Sequence, residues 1–275
     1  MVFFPMFYCW RGGDFGTFVR VCGLFAAFCL LSSAMYLVND IADISCDRLH
    51  PFKRARPLAS GSLPPTLVPA LALILTAVSL GTVFFMERGA FHVLFAYLLN
   101  ALAYTFFFKK TAFLDILSLV TGFFLRLAAG AAIAGCRMDK SVLICMFFLC
   151  LFFIFAKRRS ELTLLKDRRV DPLSTRKVFQ RYGEEKLDAA LKVSAALSIF
   201  SYLFFVFKSL PVRSIVSFYL LLFSVPPAVY CLLEYAKVLR SGETDGVFRS
   251  VLKHANILAA SGVWALFFFW AAVRR

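Results

Sequence analysis

Long apolar stretches separated by short polar connections dominate the chain. A membrane-spanning helix needs about 20 mainly apolar residues. Eight stretches reach or approach that length, at positions 16–38, 65–86, 90–108, 113–134, 141–156, 189–207, 215–235 and 257–273. Residues 1–9 have the character of the end of a ninth stretch. No polar segment is long enough for a separate soluble domain, so the pattern predicts one all-α domain, residues 1–275, built as a polytopic transmembrane helix bundle.

The composition agrees with a membrane protein. Apolar residues make up 61% of the chain and charged residues 17%, yet the net charge is +15. A basic excess of this kind occurs in nucleic-acid-binding proteins and in membrane proteins. Nucleic-acid-binding proteins carry it on a soluble domain, whereas here the Lys and Arg residues lie between apolar stretches. The pattern therefore predicts the lipid bilayer as a partner and excludes nucleic acid.

The connections between the apolar stretches alternate in charge. Connections 40–62, 109–112, 157–192 and 236–255 hold 21 of the 31 Lys and Arg residues, and the connections on the opposite side hold nine. Cytoplasmic connections are enriched in Lys and Arg. We therefore predict that the first set faces the cytoplasm, with the chain in the plasma or inner membrane.

Eight cysteines lie at positions 9, 22, 29, 46, 136, 145, 150 and 231. Most of them are inside apolar stretches, and no C-x-x-C pair occurs. Cysteine in such surroundings usually packs as a small apolar residue. The sequence therefore predicts neither a zinc site nor a disulfide framework.

Three aspartates follow the first complete apolar stretch. Asp40, Asp43 and Asp47 are spaced i, i+3 and i+7. In a straight helix they would share one face, within about 60° of arc. Three neighbouring carboxylates repel one another unless a cation lies among them, and Mg²⁺ prefers oxygen ligands that it shares with substrate phosphates. We therefore predict that Asp40, Asp43 and Asp47 are catalytic residues that bind Mg²⁺ as the cofactor.

A group of polar and basic side chains surrounds the aspartates in sequence. The predicted phosphate-binding residues of this segment are Asn39, Arg48, His50, Lys53, Arg54 and Arg56. Because Arg binds phosphate through paired hydrogen bonds, the segment predicts a site for a metal-bound polyphosphate. The alternative is a solvated helix end with a basic stop-transfer cluster. That alternative explains the Lys and Arg residues but not three aligned aspartates.

The run N-D-x-x-D-x-x-x-D-R-x-H-P-x-K-R-x-R-P-x-A-S-G, at residues 39–61, resembles the first signature of the UbiA superfamily of membrane prenyltransferases. Among its branches, the run is most similar to the polyprenyl-phosphate phosphoribosyltransferases, of which the decaprenyl-phosphate enzymes are typical. Residues 114–130 and 156–162 also match that branch. The resemblance extends from residue 3 to the last apolar stretch. It implies a UbiA-type bundle, and it implies a first span of which this chain holds only the end.

The branches of the superfamily differ in the segment after the stretch at 141–156. Aromatic prenyltransferases carry a second Asp motif there, which helps to bind the metals of an isoprenyl diphosphate. This sequence has Lys157, Arg158, Arg159 and Glu161 instead. The resemblance therefore implies two different substrates. Phosphoribosyl diphosphate would bind with Mg²⁺, and a polyprenyl phosphate lipid would bind to the cations.

Other candidate residues lie in or beside the stretch at 113–134. Asp115 and Arg126 would be about 16 Å apart along one helix, with Asp115 near the cytoplasmic mouth. An Arg inside a span is a candidate functional residue, and for Arg126 a structural clamp between helices is an equal alternative. Lys109 and Lys110, in the preceding connection, complete the predicted substrate-binding set.

The implied activity is a Mg²⁺-dependent pentosyl transfer. A 5-phosphoribosyl group would move from phosphoribosyl diphosphate to a decaprenyl-type phosphate, as a step in cell-envelope biosynthesis. One alternative is transfer of a prenyl group to an aromatic acceptor, for which only Glu161 and Asp167 stand in as a second acidic pair. The other is a transporter or channel, which would place charges along a pore, whereas charges here collect at one face. A homo-oligomer is left open.

Overall fold

Helices make up the regular structure of the part of the chain that the computed structural model describes, residues 1–9, 14–50, 52–167, 183–209, 214–240 and 253–273. They are α1 (Phe4–Tyr8), α2 (Phe15–Ala42), α3 (Ile44–Leu49), α4 (Pro57–Ser60), α5 (Val68–Met86), α6 (Arg88–Phe106), α7 (Ala112–Ala134), α8 (Lys140–Asp167), α9 (Glu184–Lys208), α10 (Ile215–Phe223), α11 (Val225–Arg240) and α12 (Ala255–Val273). Short 3₁₀ turns lie at Lys53–Ala55, Pro65–Leu67 and Phe108–Lys110.

Within the described ranges, eight helical segments are long and apolar enough to cross a bilayer. They are Phe15–Ala42, Pro65–Met86, Arg88–Phe106, Ala112–Ala134, Lys140–Lys166, Glu184–Lys208, Ile215–Val238 and Ala255–Val273. Each contains one of the eight predicted stretches, wholly or nearly so, and the prediction of an all-α, multi-pass membrane protein is confirmed. Large apolar side chains on their outer faces, such as Phe85 and Phe200, are exposed and suited to lipid.

The helices form two compact units. The first comprises Met1–Arg137 and Leu165–Tyr182, and in it α2 packs against α5, α6 and α7. Small residues line part of this packing, with Ala34 and Ala72 buried between α2 and α5. Small side chains allow close helix contacts in a membrane. The Ser79 hydroxyl also donates a hydrogen bond of 2.7 Å to the carbonyl oxygen of Ala27, which ties α5 to α2.

The second unit comprises Met138–Leu164 and Gly183–Arg275. Its core joins four helices, because Phe152 of α8, Leu191 of α9, Tyr235 of α11 and Ile257 of α12 pack together. The core lies one turn from the basic residues of α8, and it fixes that helix within the unit.

The N-terminal segment is anchored on α7 in the first unit. Val2, Met6 and Tyr8 are buried, and the backbone of Val2 approaches α7 so closely that a Cβ at Gly130 would overlap its carbonyl oxygen. Cys9, after α1, forms a disulfide with Cys136, after α7. The prediction that these two cysteines are packing residues is therefore wrong. Their 127-residue separation left no local signal of pairing.

We predict that Cys9 and Cys136 resist a polyethylene-glycol maleimide until the protein is reduced. The test uses a variant in which the other six cysteines are serine. When this variant is unfolded without reductant, the maleimide should cause no mass shift on a gel. After reduction, two maleimide labels should be added. Single variants that lack Cys9 or Cys136 provide the control, since each should label once without reduction. Double labelling of the unreduced protein would contradict the disulfide.

Candidate metal and phosphate site

The helix that carries the aspartates bends at Asp43. Its φ and ψ are −108° and 8°, and it separates α2 from α3. Helical hydrogen bonds continue on both sides, because the Asp43 amide donates to the Asn39 carbonyl at 2.9 Å and the Asp47 amide donates to the Asp43 carbonyl at 2.8 Å. The spacing predicted a straight helix with one acidic face. The bend instead leaves Asp40 on α2 and Asp47 on α3.

Arg56 joins the carboxylates of Asp40 and Asp47. Its Nη1 atom lies 2.7 Å from Asp40 Oδ1 and 2.8 Å from Asp47 Oδ2. Asp47 is buried and Asp40 is half-buried, so the guanidinium offsets two charges that would repel each other in a partly desolvated position. The two carboxylate oxygens therefore converge on a single cationic atom.

Lys109 neutralises the third aspartate from a different helix connection. Its ammonium donates to Asp43 Oδ1 at 2.6 Å and to Asn39 Oδ1 at 3.1 Å. The 3₁₀ turn Phe108–Lys110, between α6 and α7, carries Lys109 to the end of α2. The structure thus brings together four residues predicted from the sequence, Asn39, Asp40, Asp43 and Asp47, with two of the predicted cations.

His50 holds the start of the basic segment through hydrogen bonds to its backbone. It is buried, and its Nδ1 atom accepts hydrogen bonds from the amides of Phe52 at 3.2 Å and Lys53 at 3.3 Å. These bonds hold the start of the 3₁₀ turn Lys53–Ala55 that precedes Arg56. The sequence predicted a phosphate contact for His50. The observed role of its Nδ1 atom is to cap the turn.

The segment then reverses at Gly61, which ends α4 with a φ of +85°. Glycine adopts this left-handed conformation without steric cost. Leu58 of α4 is buried beneath the segment. Arg56 is the N-cap of α4, and this short helix therefore helps to hold the guanidinium over the aspartates.

Three predicted basic residues lie at the surface of this region. Arg48, Arg54 and Lys110 are exposed, and Arg48 makes one long contact, from Nε to the Ala59 carbonyl at 3.4 Å. Asp115 is fully buried in the first turn of α7. A carboxylate is favoured at the positive end of the helix dipole.

The residues present fit a magnesium ion only in part. Within the described ranges, no three Asp, Glu, His or Cys side chains converge on one point. The three aspartates therefore do not form a single metal site, since Asp43 pairs with Lys109. Asp40 and Asp47 nevertheless present two oxygens to one cation position. Mg²⁺ is usually held by one or two carboxylates, with water and substrate phosphate as the other ligands. Asp40 and Asp47 fit that pattern.

Arg126 lies in the membrane-spanning part of α7 and clamps three helices. Its Nη2 atom donates to Tyr97 Oη at 2.5 Å and to Ser32 Oγ at 3.4 Å, and its Nη1 atom donates to the Gly122 carbonyl at 3.2 Å. The guanidinium also lies 4.5 Å from the centre of the Tyr97 ring. Ser32 and Tyr97 come from α2 and α6, and no local sequence signal marked them as partners. The geometry agrees with the structural-clamp alternative.

The basic run at 157–159 lies within helix α8, although the sequence predicted a connecting segment. No Gly or Pro interrupts α8 between Lys140 and Asp167, so the helix continues beyond its apolar part. Successive helical residues point about 100° apart. Lys157 is accordingly exposed, Arg158 is buried and Arg159 is half-buried, and these side chains do not form one cation cluster.

Carboxylates of the second unit engage two of these cations. Arg158 Nη1 is 3.4 Å from Glu161 Oε2 on the same helix. Arg159 Nε is 3.0 Å from Asp188 Oδ1, and Arg159 Nη1 is 3.7 Å from Glu184 Oε1, both on α9. Arg159 therefore ties α8 to α9, a role that the sequence did not predict.

The order of these elements, with an N-D-x-x-D-x-x-x-D run at the end of a spanning helix, matches one protein family. The model of the UbiA prenyltransferase family matches residues 1–257. The chain belongs to this family. The match covers the aspartate segment, the Lys109 connection and seven of the eight candidate spans completely, so the superfamily resemblance of the sequence is confirmed.

Curated relatives point to one branch of the family. A decaprenyl-phosphate phosphoribosyltransferase from Corynebacterium glutamicum is 35% identical over 188 residues, which is 68% of this chain and 56% of that protein. The enzyme of the same name from Mycolicibacterium smegmatis is 37% identical over 145 residues, 53% of this chain and 46% of that protein. The chain thus spans about half the length of the curated relatives that it matches.

A solved structure shares the fold. A UbiA homolog from Archaeoglobus fulgidus, bound to GPP and Mg²⁺, aligns with a TM-score of 0.69 over 99% of this chain and 95% of that chain. The two sequences are 18% identical. The alignment confirms a UbiA-type helix bundle for this chain.

We predict that Arg126→Gln destabilises the first unit. The substitution removes hydrogen bonds that join α7 to α2 and α6, together with a cation–π contact, a loss of about 1–3 kcal/mol. The apparent melting temperature of the purified protein in detergent should fall. Tyr97→Phe keeps the aromatic ring and removes one hydroxyl, so its effect should be smaller. An unchanged melting temperature for Arg126→Gln would rule out the clamp.

Proposed function

We propose that the chain is a polyprenyl-phosphate phosphoribosyltransferase. It would transfer a 5-phosphoribosyl group from phosphoribosyl diphosphate to a decaprenyl-type lipid phosphate and release diphosphate. The observation that carries the proposal is the convergence of Asp40 and Asp47 on one cation position, with Arg56 and Lys109 beside them. The similarity to two proteins named decaprenyl-phosphate phosphoribosyltransferase supports phosphoribosyl as the transferred group and a decaprenyl-type phosphate as its acceptor.

The aspartates and the basic residues have complementary roles in this reaction. Asp40 and Asp47 would hold Mg²⁺, which would neutralise charge on the leaving diphosphate. Arg56 and Lys109 are near enough to reach the same diphosphate, and the exposed Arg48 and Arg54 extend the positive surface around it. Charge-assisted hydrogen bonds of this kind stabilise an anion that forms during a reaction.

The acceptor needs little activation by the protein. A lipid phosphate is already ionised near pH 7, so its oxygen can attack C1 of the ribose without a general base. The new bond is C1–O, and the bond that breaks joins C1 to the diphosphate oxygen. Catalysis would therefore come from positioning and electrostatics. The role of His50 is consistent with this, since its Nδ1 atom is engaged by two backbone amides rather than directed at a substrate proton.

Aromatic prenyl transfer is the second candidate, because the solved homolog binds GPP. The aromatic enzymes use a second Asp motif after the apolar part of the corresponding span. In this chain the apolar part of α8 is followed by Arg158 and Arg159, and the nearest carboxylates, Glu161 and Asp188, are paired with them. This arrangement favours the phosphoribosyl reaction.

We further propose that the aspartate site faces the cytoplasm and that both compact units belong to one domain. The excess of Lys and Arg in the connections on that side supports the orientation, as does the disulfide after α7. Disulfides persist in oxidising compartments outside the cytoplasm. Cys136 follows the last turn of α7, whereas Asp115 lies in the first turn of that helix. A disulfide outside the cytoplasm therefore agrees with a cytoplasmic position for Asp115. The family match runs through both units.

We predict that purified protein with Mg²⁺ forms a labelled lipid from phosphoribosyl diphosphate labelled in the ribose and decaprenyl phosphate. Asp40→Asn and Asp47→Asn should each lower the rate at least about 100-fold, since each removes charge and a metal ligand. Each variant should elute from a sizing column at the same volume as wild type, as expected if it is folded. The prediction fails if 4-hydroxybenzoate is prenylated from a prenyl diphosphate while phosphoribosyl diphosphate is left intact.

The orientation has its own test. In a cysteine-free background, Lys53→Cys should react with a membrane-impermeant maleimide only after cells are opened. Lys140→Cys, before the apolar part of α8, should react in intact cells. Both substitutions remove one positive charge at a helix end, so each is the control for the other. The reversed labelling pattern would contradict a cytoplasmic site.

A further inference from the structure

The aspartate site carries its own cations. Arg56 Nη1 contacts Asp40 and Asp47 at 2.7 and 2.8 Å, and Lys109 Nζ contacts Asp43 at 2.6 Å. Each of the three carboxylates therefore already has a positively charged partner. A divalent ion that binds between Asp40 and Asp47 would have to take the place of the Arg56 nitrogen, because both carboxylate oxygens point at that atom.

The two basic residues differ in how firmly they are held. The Arg56 side chain is 38% exposed, whereas the Lys109 side chain is 15% exposed. Lys109 also donates to Asn39. Arg56 lies at the start of α4, on a segment that leaves α3 and returns at Gly61. Arg56 can therefore leave its partners by a side-chain rotation into open space, and Lys109 has less room to move.

We propose that Arg56 and Lys109 are exchangeable counter-cations that keep the site from binding a divalent ion alone. Diphosphate offers both residues a new anionic partner, so the metal and the diphosphate enter together while the basic side chains move from carboxylate to phosphate. This proposal rests on one part of the proposed function, the assignment of the aspartates as metal ligands. It does not depend on which group the enzyme transfers.

Removal of the Arg56 charge should have opposite effects on metal binding with and without diphosphate. In the free protein, a metal ion competes with Arg56 for the same oxygens, and removal of the guanidinium removes the competitor. With diphosphate present, Arg56 is a ligand of the anion, and its removal weakens the complex. Binding of metal and of anion is then coupled, and such coupling is reciprocal. A residue that simply attracts anions would leave binding of the metal alone unchanged.

The experiment measures Mn²⁺ binding by electron paramagnetic resonance on the purified 275-residue chain, with and without inorganic diphosphate. The variants are Arg56→Gln and Lys109→Gln. Lys192→Gln is the control, since it loses the same charge at an exposed position of α9, outside the predicted substrate-binding set. This control reports how much of any gain comes from the change in overall charge.

Without diphosphate, Arg56→Gln should bind Mn²⁺ at least about threefold more tightly than wild type, the size of effect expected for a partly exposed ion pair. Lys109→Gln should show a gain of about twofold or more, and Lys192→Gln should match wild type. With saturating diphosphate, Arg56→Gln and Lys109→Gln should bind Mn²⁺ about tenfold more weakly than wild type, as expected for a lost charge-assisted hydrogen bond.

Unchanged or weaker Mn²⁺ binding by Arg56→Gln in the absence of diphosphate would overturn the proposal, and so would an equal gain in Lys192→Gln. If Arg56→Gln does not fold, Lys109→Gln decides the same question at Asp43. Arg56→Lys keeps a cation over Asp40 and should bind Mn²⁺ alone as weakly as wild type. Failure of phosphoribosyl transfer with the predicted Mn²⁺ pattern intact would reject the donor and leave the exchange standing.

Discussion

Neutralisation of three carboxylates at the end of one spanning helix is the constraint on which the rest of the site depends. Asp40, Asp43 and Asp47 would destabilise the end of α2 and the start of α3 if they were left unpaired. Arg56 and Lys109 meet this requirement from two different segments. The basic segment has to fold back over the aspartates, and the connection between α6 and α7 has to reach α2. The same ion pairs that stabilise the fold therefore bring together the residues that we propose to bind a metal ion and a phosphate group.

The membrane-embedded part of the chain depends on a different set of contacts. Helices in lipid gain little from apolar burial against one another, so small residues and interhelical hydrogen bonds contribute more. Arg126 with Tyr97 and Ser79 with Ala27 supply such bonds in the first unit. The disulfide of Cys136 adds a covalent link at the end of α7 away from Asp115. The contacts that stabilise the membrane-embedded part of the first unit are thus separate from the ion pairs of the aspartate site.

The sequence predicted the features that depend on local pattern. The spans were predictable because soluble domains rarely contain apolar runs of membrane length, and the aspartate segment because its spacing is unusual. Contacts between distant parts of the chain could not be predicted in this way. Nothing near Lys109 indicates that it meets Asp43, and nothing near Cys9 indicates Cys136. The charge of the basic run at 157–159 predicts a connection, but no residue in the run breaks a helix, and α8 continues through it.

We propose that Asp40 and Asp47 form a metal position shared with a diphosphate. The most direct measurement is an experimental structure of the protein with Mn²⁺ and phosphoribosyl diphosphate, in which anomalous scattering locates the metal. We expect an Mn²⁺ peak between Asp40 and Asp47, with the diphosphate bound to the metal and the Arg56 guanidinium moved from the carboxylates to the phosphate oxygens. Mn²⁺ bound elsewhere, with Arg56 still joined to both aspartates, would contradict it.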